Sequence, residues 1–317
     1  VSFDTKYAMN VMLDYERNEE NERGIIYNYG AKICKYLFQI KSLISSDLKN
    51  DLLEKLISYT NTHTAPNDDP YEDPPSLRKV TINRHKARKA MAMFEADPSS
   101  LGNKEKVFKN SIFHQAHHQL KYLEAKELRR NYIAKLDDGQ ERTFKVKFFG
   151  EGVQDNGGPY RETFHELMDE VFNEKHILPL FIKSPNFKHS DGVIQDKYVP
   201  NPACVLPEQL ELYKFFGKMI GICIRNHILI NFNLSGIVWK QLLGPHLSTI
   251  SLEPDIAEID EGFVRKFNYV QQLDMNAQDA DLSYINFTYK RCDEKQVDLI
   301  PNGKQMSLTR ANRDSYL

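Results

Sequence analysis

Apolar residues recur three and four positions apart early in the chain, at Ile26, Ile33, Leu37, Ile40 and Ile44, and again at Leu48, Leu52, Leu53, Leu56 and Ile57. That spacing predicts helices between residues 25 and 58, the second of them capped by Ser45-Ser46-Asp47. The pattern then stops. Residues 61–76 hold Pro66, Pro70, Pro74 and Pro75 among Asp68, Asp69, Glu72 and Asp73, a composition that predicts an exposed linker. After Leu77 a short extended piece leads into a helix carrying Ala87, Ala90, Met91 and Phe94. A polar loop is expected through Pro98, Gly102 and Asn103, and then an amphipathic helix bearing Ile112, Phe113, Ala116, Leu120 and Leu123. Phe144, Val146 and Phe148 alternate with Lys145 and Lys147, the period of a half-exposed strand.

That strand runs into the glycine-rich stretch from Gly150 to Gly158, and Pro159 suits the first turn of a helix with Tyr160, Phe164, Leu167, Met168 and Val171 on one face. A helix after Pro207 is expected to bury Leu210, Tyr213, Phe216, Ile220 and Ile224. Gly217 and Gly221 on it suggest a closely packed neighbouring backbone. Ser235 reads as the cap of a helix bearing Val238, Trp239 and Leu242, ended by Gly244-Pro245. In the last seventy or so residues a short helix carries Phe263, Phe267 and Val270. Strands follow around Ile285, Phe287 and Tyr289 and around Val297 and Leu299, then a turn at Pro301-Asn302-Gly303. The elements sum to an α+β fold, predominantly α-helical.

Charge narrows the options. The 42 Lys+Arg against 44 Asp+Glu leave a net charge of −2, without the basic footprint expected for nucleic acid. The acid-free run from Arg78 to Lys89 reads as a solvated helix face. No apolar stretch approaches the ~20 residues that cross a bilayer, so no membrane insertion is expected. Four scattered cysteines, Cys34, Cys204, Cys223 and Cys292, form no CxxC pair and point to neither zinc nor a disulfide framework. A reducing, intracellular setting follows, cytoplasmic or nuclear.

Three groups of residues invite a chemical reading. Strand, glycine turn and helix is the order of a phosphate cradle, but Asp155 stands where a dinucleotide fingerprint needs its third glycine. Pro159-Tyr160 replaces the Lys-Ser/Thr of a Walker loop, and Glu151 and Asp155 would repel phosphate; a structural turn is the better reading. His114, His117 and His118 could share a helix face, yet no HExxH base or paired cysteine accompanies them. Among the cysteines Cys34 and Cys223 lie in apolar stripes and Cys292 in a polar turn. Cys204 alone has a loop position that could suit a nucleophile, and nothing in the sequence supplies it a base. No cofactor, metal or catalytic residue is therefore expected.

Three segments in register resemble the HECT family of ubiquitin ligases. They are Val146 to Gly152 with Asp155, Gly157-Gly158, Arg161 and Glu162; Tyr213 to Gly221 with Asn226-His227 and Leu229, preceded by Asn201-Pro202; and Asp298 to Lys304 with Leu308-Thr309, Asn312-Arg313 and Tyr316. The resemblance implies the first, mostly helical lobe of a bilobal ligase. Beyond the upstream helical extension (1–60) and the linker (61–76), it divides the chain into a large subdomain (77–247), a small one that docks a ubiquitin-conjugating enzyme (248–303) and a truncated segment returning to the large one (304–317). The family's Thr-Cys-Phe setting is absent, so the cysteine-bearing lobe is expected to lie beyond Leu317 and this piece to be inactive alone.

The family's partner surface maps onto Phe263, Phe267, Ser283, Tyr284, Ile285 and Tyr316, where Phe263 and Phe267 depart from the leucines common in the family. By resemblance the partners are a conjugating enzyme, ubiquitin and protein substrates. The rival expectation is a non-catalytic helical scaffold that binds protein segments. Residues 1–76 have no counterpart in the resemblance.

Overall fold

The computed structural model describes residues 43–63, 77–133, 140–153, 155, 157–172, 178–243, 249–272 and 282–317. The chain divides into two units, Val1–Asn61 with Leu243–Ser248, and Thr62–Leu242 with Thr249–Leu317. In the first, helix α1 (Ser46–Thr60) starts as its sequence dictates, with Ser45 Oγ accepting from Leu48 N at 3.3 Å. Of α1's side chains Ile57 is buried, whereas Leu48 and Leu53 are exposed. The stripe from Ile26 to Ile40 lies outside the described residues, as does most of the expected linker. Thr62–His63, placed in that linker by composition, forms a short strand (β1) pairing in parallel with Arg130–Asn131 (β3).

The second unit begins its core with strand β2 (Lys79–Ile82) beside β4 (Lys145–Phe148), parallel and in register Val80 to Val146 and Ile82 to Phe148. Period-two patterning puts Val80, Ile82, Val146 and Phe148 inside. Helix α2 (Arg84–Ala96) follows β2. The expected polar loop at Gly102 and Asn103 is instead the first turn of α3 (Leu101–Asn110), because Ser100 Oγ caps Asn103 N and starts the helix early. Helix α4 (Ile112–Leu120) lies against β2, and its Gln119 side chain both donates to and accepts from Thr81's backbone at 2.8 and 2.9 Å, covering an otherwise open sheet edge. A short α5 (Ala125–Leu128) precedes β3.

Helix α6 (Gly158–Val171) buries the predicted face, Tyr160, Phe164, Leu167, Met168 and Val171, against Phe144 and α4. Strands β5 (Phe181–Lys183) and β6 (Tyr198–Pro200) pair antiparallel around the short helix α7 (Pro185–His189). Helix α8 (Pro207–Arg225) is the central element, but its buried face is not the expected one. Leu212, Phe215, Phe216, Met219, Ile222 and Cys223 are inside, while Leu210 and Ile224 are exposed, because apolar residues surround this helix and periodicity alone cannot choose its side. Gly217 and Gly221 face open space: a methyl on either Cα would meet nothing within 4 Å, so the expected close backbone contact is absent.

Helix α9 (Gly236–Leu243) is capped differently from its reading. Ser235 Oγ is buried without a hydrogen bond, and Glu258 Oε2 takes the Gly236 N–H at 2.6 Å. Gly244-Pro245 lies outside the described residues. A wide turn (Leu252–Ile256) leads to α10 (Glu261–Gln272), the antiparallel pair β7 (Thr288–Lys290) and β8 (Gln296–Asp298), and a last short helix α11 (Arg313–Tyr316). These terminal elements close over their own core of Val270, Leu282, Ile285, Phe287 and Leu308.

Candidate functional site

An aromatic groove lies on this terminal layer. Asp260 starts α10 by accepting from Phe263 N at 2.9 Å, and its other oxygen accepts from Tyr289 O–H at 3.0 Å. One carboxylate thereby fixes both the helix and the strand that face each other across the groove. Four residues apart on α10, Phe263 and Phe267 share a face, with ring centroids 6.1 Å apart. Phe263 meets Tyr289 edge-on at 5.4 Å, and Tyr316 stands edge-on to Phe287 at 5.2 Å. Leu299, Ile256, Ile259, Pro185 and His189 complete the walls of a cavity of about 650 Å³. The rings of Phe263, Phe267 and Tyr316 are half-buried, wet on one side and packed on the other.

Charge is distributed unevenly around the rim. Lys290 and Lys188 are spoken for by Glu294, and Arg291 by Asp293. Lys266 instead projects over the Tyr316 ring, its Nζ 5.8 Å from the centroid, at the outer limit of a cation–π contact. Burial, and then the Asp260 charge, raise the phenol of Tyr289 above its ordinary range. Tyr289 therefore stays a neutral donor.

The six residues that sequence pointed to do not all meet here. Phe263, Phe267 and Tyr316 line the groove. Ile285 does not: at 2% exposure it belongs to the core beneath, where its carbonyl accepts from Leu308 N at 2.7 Å. Ser283 and Tyr284 sit in the turn before it, Tyr284 with 71% of its surface exposed, and neither lines the cavity. Tyr289, Leu299, Pro185 and His189 were missed. The first two carried a signal, as apolar members of the strands expected from sequence, whereas nothing local marks Pro185 or His189.

The other candidate chemistry resolves into architecture. Gly150, Gly152 and Gly157 adopt φ of 80°, 64° and 101°, the left-handed region that an L side chain resists. Asp155, fully buried, accepts from Val146 N at 2.8 Å, Gly157 N at 3.1 Å and Tyr160 N at 3.3 Å and faces Arg142. Its carboxylate thus fills the place a phosphate would take. Gln154 and Asn156 lie outside the described residues. Arg84, in the basic run read as solvated, is instead buried: its guanidinium stacks on Phe148 and reaches Glu151, Glu162 and Glu166, ion pairs that raise its pKa further.

His117 is buried edge-on to Phe215 at 5.2 Å. Burial, helped by the charge of Lys121, lowers its pKa to about 4. Among the described residues no group of three or more His, Cys, Asp or Glu side chains is arranged to hold a metal ion. The described cysteines all have thiol pKa values raised by burial, that of Cys223 to about 12, and the Cys204 thiol points at the Pro179 carbonyl 3.0 Å away. None has the lowered pKa of an activated nucleophile.

A mostly helical body thus ends in a small α/β layer with an exposed aromatic groove. Residues 165–317 match the HECT-domain (ubiquitin-transferase) family. The mouse E3 ubiquitin-protein ligase HERC2 is 33% identical over 176 residues, covering 56% of this chain and 4% of that protein. The human probable E3 ubiquitin-protein ligase HECTD4 is 23% identical over 313 residues, 91% of this chain and 7% of that protein. The E3 ubiquitin-protein ligase RSP5 of Emericella nidulans is 26% identical over 263 residues, 81% of this chain and 29% of that protein. Residues 165–317, a little under half of the chain, thus carry the likeness to HECT ubiquitin transferases. The chain corresponds to a small part of the length of these relatives. No helix among the described residues is long and apolar enough to cross a membrane.

Proposed function

We propose that this chain recruits a ubiquitin-charged conjugating enzyme and that the groove of Phe263, Phe267, Tyr289 and Tyr316 is where that enzyme docks. The observation carrying this reading is that four aromatic rings from three segments converge on one half-buried cavity within the stretch matching the HECT family. Aromatic anchors in a partly dry pocket are what concentrate binding energy in small interfaces. Residues 77–247 act as the large subdomain, 248–303 as the docking subdomain and 304–317 as the return that brings Tyr316 to the groove. None of the described cysteines accepts ubiquitin; their raised thiol pKa values favour an acceptor supplied elsewhere in the ligase, which then passes ubiquitin to a substrate lysine in the cytoplasm.

A carrier that must leave after each transfer needs a small, transient contact, below about 1,200 Å² in total. With so little area one anchor counts heavily, so Phe267→Ala should weaken conjugating-enzyme binding roughly tenfold or more. Isothermal calorimetry against a panel of conjugating enzymes, paired with a melting curve, tests this. Affinity unchanged across the panel, or a variant that unfolds as a core phenylalanine truncation would, at about 3–5 kcal/mol, returns the ring to the core.

A further inference from the structure

The groove is not made by the terminal layer alone. Pro185 and His189 of α7 form one wall, and α10, β7 and α11 form the other. One buried side chain joins the two. Asn186, 1% exposed, donates from Nδ2 to the Ala257 carbonyl at 2.8 Å and accepts at Oδ1 from Glu261 N at 2.8 Å. Its backbone N–H donates to the Ile259 carbonyl at 3.0 Å. The N–H of Glu261 is one of those at the start of α10 that its own helix cannot satisfy, so α10 is capped from across the groove. These three bonds run to residues 257–261, the stretch that sets where α10 begins, and with it the direction of Phe263 and Phe267.

Other links between the walls are at the surface. Arg265 pairs with Asp191 at 57% and 35% side-chain exposure, and Lys188 reaches the Cys292 carbonyl and Glu294. Solvent and salt weaken such pairs, whereas the amide clip is shielded from both. Resting on the docking role above, we propose that Asn186 is a positioning residue: it touches no partner, and it holds the walls at the one separation that admits the conjugating enzyme. If the walls part, only the closed fraction can bind. The apparent affinity then falls by that fraction. The loss appears in the association rate, while dissociation from the closed complex keeps its rate.

Surface plasmon resonance of the whole chain with a conjugating enzyme should show kon lowered about tenfold in Asn186→Ala, with koff unchanged. Asn186→Asp keeps the acceptor for Glu261 N but sets a carboxylate oxygen against the Ala257 carbonyl, so its kon should fall at least as far. Arg265→Ser, at an exposed position, should lower kon about twofold. A variant with unchanged kon, or one whose loss lies wholly in koff, overturns the proposal. A partner-free measurement separates this inference from the docking reading. With spin labels on His189→Cys and Lys266→Cys, the inter-label distance should be narrow in the parent and broadened by Asn186→Ala. Broadening with no enzyme bound to any version supports the clip and sinks the docking role; an unbroadened distribution sinks the clip.

Discussion

Gly303 offers the sharpest test of the terminal layer. A methyl group on its Cα would lie 2.2 Å from the Phe287 carbonyl oxygen and 3.1 Å from that residue's carbonyl carbon and Cβ. The nearest atom is backbone, so no side chain can swing aside. Relieving the clash takes a shift of about 1 Å, and that carbonyl already accepts from Leu299 N at 2.9 Å. Moving it that far breaks the bond, costing about 1–3 kcal/mol for a buried group left unsatisfied, and overpacking adds about 1–3 kcal/mol. Gly303→Ala should therefore destabilise the layer by about 2–6 kcal/mol.

Trp239 packs on the main core and the terminal layer has a core of its own, so a global melt could miss a local loss. Native-state hydrogen exchange at the Phe287 and Leu299 amides reads it directly. A loss of about 3 kcal/mol lowers protection roughly a hundredfold at 1.4 kcal/mol per decade. Unchanged protection at both amides would refute the reasoning, since it would show the backbone accommodating the methyl at no cost.

The remaining predictions concern protons and thiols. His117 titrates near 4 in the fold against 6.5 when unfolded, so its stabilising contribution is complete above pH 6.5 and is lost as pH falls through 4; histidine NMR titration should place its midpoint well below those of exposed histidines. Glu170, raised to about 7 by burial while it holds the Ile112 and Phe113 N–H groups at 2.8 Å, carries the opposite sign. Its contribution is complete below pH 4.5 and is lost as pH rises through 7, so its carboxyl carbon resonance should titrate near neutrality; a midpoint at 4.5 would show it to be solvated. Incubated with activating enzyme, conjugating enzyme and ubiquitin, the chain should show no reductant-sensitive adduct on a non-reducing gel, and an adduct lost in Cys204→Ser would contradict the inert-thiol reading.

Sequence patterning carried much of this fold where one face of an element was polar. The β4 alternation and the α6 stripe each have a single arrangement that hides apolar atoms, and the chain takes it; the Ser45 cap forms as its local sequence dictates. Patterning failed where both faces were apolar, as on α8, and where a polar residue works across distance. Arg84 sits in a run of solvated cations and differs from them through Phe148 and through Glu151, Glu162 and Glu166, the three acids 67 to 82 residues further on. Asn186 bonds to partners 71 and 75 residues away, and nothing in Ser-Pro-Asn-Phe announces it. Half of the groove was legible, because Phe263 and Phe267 share a helical face and Tyr316 falls in the motif. Its opposite wall was not, since α7 reaches it only through tertiary contact.

The groove's walls run from Pro185 to Tyr316 along the chain, and this has a consequence for timing. A chain made from its N-terminus can assemble the β2–β4 pair, α6 and α8 before the groove's last aromatic exists. Until α11 folds back, Phe287 lacks the edge-on cover of the Tyr316 ring, and Phe263 and Phe267 face a cleft open at one end. The groove is therefore complete only once the segment through Tyr316 has folded back, later than the β2–β4 pair, α6 and α8.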